Sequence, residues 1–277
     1  MSLSAAAVLA AAVLAASSVE LPATVQPGQL VVGRLPAGTS AHCRLAAGDR
    51  ELRIAPDGRF VFGVARDARG SVEVSIAADP GCPLAGQAQT VAVAAREFPV
   101  EHIDGLPQQT VTPAPAIAAR IAREQAAVAA ARERDDPRTD FADGFLRPVD
   151  GRISGVYGSR RILNGVPKNP HYGLDVAAPA GTPVRAPAAG IVSFAETALY
   201  LTGGTVLIDH GHGLSSSFLH MSRLDVGPGQ RVEAGEVIGA VGATGRASGP
   251  HLHWGFNWFD VRLDPALLPA PAASGRD

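Results

Sequence analysis

The stretch GGTVLIDHGHGLSSSFLHMS, residues 203–222, reads as two β-strands folded back on a turn. Apolar residues dominate GTVLI and recur in LSSSFLHM, while the glycines of DHGHG interrupt them where a hairpin has to reverse. A strand pair of this kind needs partners to bury its apolar side. The neighbouring segments supply them: GRISGVYGS (151–159), HYGLDVAAPAGTPVRAPAAGIVSFAE (171–196), GQRVEAGEVIGAVG (229–242) and PHLHWGFNWF (250–259). Glycines and prolines at short intervals leave no room for long helices, so residues 145–268 are expected to form a compact, mostly antiparallel β domain.

The chain before this region has a different texture. LVVGRL, LRI, RFVFGV, SVEVSIA and TVAVAA alternate with turn residues, which predicts a small all-β domain over 19–100. Its one histidine, His42, reads as a surface residue. Residues 101–144 are expected to be a helical linker, because PAPAIAARIAREQAAVAAARERDD is rich in Ala, Arg and Glu and is bounded by prolines. Ile117, Ile121, Val128 and Ala131 share one side of a 3.6-residue period and should pack on a domain. The fold class is therefore mainly β, with a small amino-terminal β domain, a connecting helix and a carboxy-terminal antiparallel β domain, followed by a tail at 269–277.

Residues 1–18 open with an uncharged Ala, Val and Leu run followed by small residues, and read as a secretory signal peptide. The run is shorter than the roughly 20 residues of a membrane span, so a membrane tether enters only if the signal stays uncleaved. Export would carry Cys43 and Cys82 into an oxidising compartment, where they are able to bridge; two separate buried thiols are the alternative. A net charge of -2, with 24 basic residues scattered along 277, gives no reason to expect nucleic acid as a partner. The 46% hydrophobic content excludes a chain that is disordered throughout.

Six of the eight histidines fall in the carboxy-terminal domain. In HYGLD, His171 and Asp175 stand four apart, so an extended chain sends both to one face. In HLH, His251 and His253 share a strand face and Leu252 and Trp254 take the other. In SSSFLHMS, alternation groups Phe218 with His220 and sets Leu219 opposite. One carboxylate and two or more imidazoles make a ligand set that suits zinc, and three protein ligands with an open fourth position mark a catalytic site. The pair His210 and His212 lies in the glycine-rich turn and reads as hairpin residues near the rim of that site.

HYGLD, SFLHMS and GPHLHWGF, joined by VGPGQRVEAGEVIGAVGATGRASGPHLHW, closely resemble the lysostaphin/LytM-type zinc metalloendopeptidases, which cut peptide cross-links of bacterial cell walls. The resemblance covers about residues 147–266. It implies one zinc ion per chain, held by His171, Asp175 and His253, with His220 and His251 as catalytic residues. It further implies peptide stems of peptidoglycan as the partner and an exported enzyme of the periplasm or cell envelope. Many members carry Tyr-Ala-His where this chain has Phe218, Leu219 and His220, which removes a hydroxyl and keeps the histidine. The first domain and helix also look like the amino-terminal region of a proteobacterial subset of the family.

No HExxH occurs, so the helix-borne glutamate base of other zinc peptidases is missing. A nearby imidazole can move the proton, with His251 read as the base and His220 as the oxyanion stabiliser, or with the two roles exchanged. Two other readings compete. Ser215, Ser216 and Ser217 lie near His220 but lack a GxSxG elbow, and read as serines of a solvent-facing strand. A non-catalytic regulator of cell-wall amidases would lack zinc ligands, and here all five positions are filled. The first domain is read as binding wall, spacing the enzyme or limiting access to the site.

Overall fold

A computed structural model describes residues 18–39 and 42–271. Most of the expected signal peptide, and residues 272–277 of the tail, lie outside the described residues. Among those described, no helix is long and apolar enough to cross a membrane.

The large sheet forms around the hairpin that opened the sequence reading. Gly203–Gly211 and Leu214–Met221 pair antiparallel, and the sheet runs in the order Arg231–Val232, Gly190–Leu199, Gly203–Gly211, Leu214–Met221, His251–Trp258, Leu174–Ala177 and Arg152–Gly155. Every pairing along this path is antiparallel. A smaller sheet of Pro183–Arg185, Val237–Ala240 and Arg223–Leu224 belongs to the same region. Val184, Ile238 and Val232 join Val206, Ile208, Phe218, Leu252 and Trp254 in one buried cluster. The alternation read in HLH holds: Leu252 and Trp254 enter this core, while His251 and His253 do not.

The amino-terminal region is also β. A five-stranded sheet, ordered Thr24–Val25, Ala88–Val93, Ser71–Ile76, Leu45–Ala47 and Arg50–Leu52, accompanies a ribbon of Leu30–Arg34 and Arg59–Gly63. Cys43 and Cys82 are joined by a disulfide. The core of this region does not stop at its own strands, because Phe60 and Phe62 belong to one cluster with Phe145, Phe256, Trp258 and Leu263.

The segment expected to be a helical linker is more varied. Val100–Ile103 is a strand, pairing parallel with Arg160–Leu163, and a single helical turn follows at Gln108–Val111. The long helix is Pro115–Ala131, with proline in its first turn and none of its residues fully buried. Ile117, Ile121, Val128 and Ala131 are half-buried. The helix is fixed at its polar edge instead: Arg120 donates to the Ala198 carbonyl at 2.7 Å and the Tyr200 backbone N–H donates to Glu124 at 2.8 Å.

Two expectations about the hairpin need correction. His210 and His212 do not sit at the rim of the histidine site; both are buried, at the end of the strand pair away from His220. His210 lies in the strand, with Phe145 edge-on and Phe256 stacked at 5.9 Å, and His212 packs on Phe141. Glycine in DHGHG suggests an open turn, but the 132–145 segment covers it, and the His212 N–H donates to the Asp136 carbonyl at 2.8 Å. Ser215, Ser216 and Ser217 are likewise buried rather than solvent-facing. Ser216 Oγ lies 2.8 Å from His210 Nε2, yet neither residue has any exposure, so this pair offers no nucleophile to a substrate.

Candidate metal centre and its neighbouring histidines

Asp175 and His253 face one another across neighbouring strands as a direct cross-strand pair, which puts their side chains on the same side of the sheet. His171 arrives differently. The strand begins only at Leu174, so the four-residue spacing of HYGLD is not that of an extended chain. The loop is held instead by backbone bonds, with the His171 N–H donating to the Ser159 carbonyl at 2.9 Å and Gly158 donating back at 2.7 Å.

Three donor atoms converge as a result. His171 Nε2 lies 3.0 Å from Asp175 Oδ1 and 2.9 Å from His253 Nδ1, and the last two are 2.8 Å apart. His171 Nδ1 sits 2.9 Å from the Val156 carbonyl, which can only accept, so Nδ1 carries the proton and Nε2 turns a lone pair inward. Two imidazole nitrogens and a carboxylate oxygen aimed at one another are a donor set for a cation of zinc's type. Burial works against a charge on Asp175, but the imidazoles of His171 and His253 outweigh it and hold its pKa well below the usual carboxylate range. Burial lowers His253 to about 4, which favours the neutral form that can bind metal.

His220 and His251 stand beside this cluster, their ring centroids 4.8 Å apart. His251 Nδ1 is 2.8 Å from the Gly249 carbonyl and His220 Nδ1 is 2.8 Å from that of Thr244. Each ring therefore keeps Nε2 as an acceptor. His220 reaches this position by an irregularity that simple alternation misses. Phe218 pairs with Trp254 on the core side and Leu219 with His253, so a regular strand would carry His220 into the core with Phe218. A bulge intervenes, with Leu219 and His220 opposing Thr205 alone, and His220 has a φ of 65°. The left-handed residue turns its ring back toward the site.

One member of the site was absent from the sequence reading. Arg161 Nη2 donates to Asp175 Oδ2 at 2.9 Å and its Nε lies 3.4 Å from Glu101, so it holds the oxygen that the histidines leave. Its local signal is only that of one of the two arginines in GSRRIL. The contact exists because Gly155 lets Asp175 approach its neighbouring strand and because Val100–Ile103 pairs with Arg160–Leu163.

The carboxy-terminal part of the chain has relatives among known proteins. Residues 169–265 match the family model described as Peptidase family M23. The peptidoglycan DD-endopeptidase ShyA of Vibrio cholerae is 43% identical over 111 residues, which are 39% of this chain and 25% of that protein. The DD-carboxypeptidase/endopeptidase Mpg of Neisseria meningitidis is 42% identical over 110 residues, with the same 39% and 25% coverage. The alignments thus span about a quarter of these curated relatives. A crystal structure described as a putative peptidase M23 from Pseudomonas aeruginosa superposes with a TM-score of 0.66 at 32% identity, covering 87% of this chain and 93% of that one. The chain belongs to Peptidase family M23.

Proposed function

We propose that the protein is a zinc-dependent endopeptidase that hydrolyses peptide cross-links of bacterial peptidoglycan. The convergence of His171, Asp175 and His253 on one point, with two further imidazoles beside it, carries this reading. Those three residues would hold the ion, which when bound supplies a Lewis acid that polarises the scissile carbonyl and acidifies water. His251 Nε2 receives the proton of the attacking water and returns it to the departing amine. His220, whose Nε2 is an acceptor in the resting site, turns donor to the oxygen of the attacked carbonyl only on taking up a second proton, which the charge developing there favours against the cost of burial. The carbonyls of Gly249 and Thr244 hold the two rings in orientation.

The names of the relatives, a DD-endopeptidase and a DD-carboxypeptidase/endopeptidase, support D-Ala to diaminopimelate cross-links as the bond cut. The Cys43–Cys82 disulfide supports an exported protein, acting in the periplasm or cell envelope. Residues 145–268 form the peptidase unit in this reading, and 19–144 a cover and support for it.

Purified muropeptides digested with and without chelator, with products weighed by mass spectrometry, test the proposal. Cleavage that chelator abolishes and zinc restores is expected, and His220→Ala should lower the rate by at least a hundredfold. A purified protein that holds no zinc and cuts nothing would instead leave the amidase-regulator reading.

A further inference from the structure

The cavity lined by His171, His220 and His253 measures about 540 Å³ and carries Arg161, Lys168, Arg246 and Arg262, with no aspartate or glutamate among the described residues of its wall. A second cavity of about 400 Å³ continues it, sharing Ile121, Gln125, Asn169 and Arg262 and adding Arg132. The two form a groove running from the His–Asp cluster along the helix Pro115–Ala131. A chain of net charge -2 has concentrated cations here, with Glu124 of the second cavity as the one carboxylate among the described lining residues, and a groove dominated by one sign of charge focuses its field on a ligand.

Most of these cations are already engaged. Arg161 holds Asp175, Lys168 donates to the Val111 carbonyl at 2.6 Å, and Arg246 also has a partner. Arg132 and Arg262 differ, since neither forms an ion pair with a carboxylate among the described residues. Arg132 Nε is buried without a hydrogen-bond partner, and the Arg262 guanidinium lies 5.7 Å from the centre of the Tyr172 ring. Burial, and then the charge of Arg262, pull Arg132 down to about 9. The nearby Glu124 does not relieve them, because its carboxylate is taken by Arg120 and the Tyr200 N–H.

We propose that Arg132 and Arg262 form a carboxylate subsite at the far end of this groove, which binds a free carboxylate of the peptide whose scissile bond lies at the His–Asp cluster. Guanidinium forks match carboxylate geometry, and an anion between the two relieves their repulsion. The groove's continuity with the cluster makes the occupant an extended peptide rather than a loose ion. This inference rests on the peptidase reading, and it assigns the helix Pro115–Ala131 to substrate binding as well as to connection.

Titration calorimetry on the full zinc-loaded chain tests it, with a diaminopimelate-containing stem tetrapeptide and the same peptide with its carboxylates amidated. The wild type should prefer the free-carboxylate peptide at least tenfold, and the Arg132→Gln, Arg262→Gln double variant should lose that preference. Melting temperatures check that the variants are folded, and Arg132→Gln alone, at the end of the helix, provides a second test by narrowing the preference. Equal affinity of the wild type for both peptides, or a full preference kept by a folded variant, overturns the subsite. Preference without any muropeptide cleavage supports the subsite while overturning the peptidase reading.

Discussion

Gly173 and Gly155 owe their places to two side chains of the candidate metal centre. A Cβ on Gly173 would lie 2.5 Å from His253 Nε2, and one on Gly155 would lie 2.5 Å from Asp175 Oδ2. The glycine inside HYGLD therefore does more than argue against a helix: it leaves room for the third donor. Arg161 acts at the same scale by holding Asp175 Oδ2 while Oδ1 faces the histidines. Groups that orient a ligand in this way are worth roughly 10- to 100-fold in metal affinity. Arg161→Met should accordingly weaken zinc binding by about that factor in a chelator competition, with Arg161→Lys recovering part of it. Unchanged affinity in a folded Arg161→Met protein would remove the positioning role.

At the scale of the strand, Gly203–Gly211 carries an acid-sensitive residue at the end away from the candidate metal centre. His210 is fully buried, its Nδ1 donating to the Ala189 carbonyl at 2.7 Å and its Nε2 accepting from Ser216 at 2.8 Å. Burial lowers its pKa from 6.5 to about 4, ahead of the opposing hydrogen bond to Ala189. In the unfolded chain the ring takes up a proton once pH falls below about 6.5, whereas in the folded chain it resists until about 4. The fold therefore loses stability as pH falls through that window, by roughly 3 kcal/mol from this residue. Urea unfolding of the wild type and His210→Gln should give stabilities that draw together between pH 7 and pH 4.5. Parallel pH profiles would contradict the assignment. The periodicity of the strand was legible in GTVLID, but its packing was not. Glycine at 211 and 213 signals a turn without saying that a segment 70 residues earlier returns to cover it.

At the scale of the molecule, the amino-terminal sheet, the sheet that carries the His–Asp cluster and the segment between them share structure. Trp258 and Phe256, at the far end of the HLH strand, belong to the core of the amino-terminal region, and Arg96 of that region forms an ion pair with buried Asp264 at 2.5 Å. The Cys43–Cys82 bridge closes a loop across a sequence separation of 39, worth about 4 kcal/mol from lost unfolded-chain entropy. Reduction should lower the melting temperature measurably, and the loss should reach the carboxy-terminal domain because the cores are joined. A reduced Trp258→Phe protein whose near-ultraviolet signal from Trp254 melts as it does before reduction would show that the two regions unfold independently.

The sequence by itself determined the strands, the turn between them and the residue types that meet at the site. Those properties depend on alternation and local backbone preference, which neighbours in the chain decide. Tertiary structure alone decided which histidines share a point, because a loop rather than a strand delivers His171, and a left-handed residue in a bulge reverses the direction expected for His220. It also decided that Arg161 holds Asp175, that His210 and His212 are buried, and that Arg132 and Arg262 end in one groove. Each of these depends on segments far apart in sequence packing against one another, and local periodicity carries no record of such contacts.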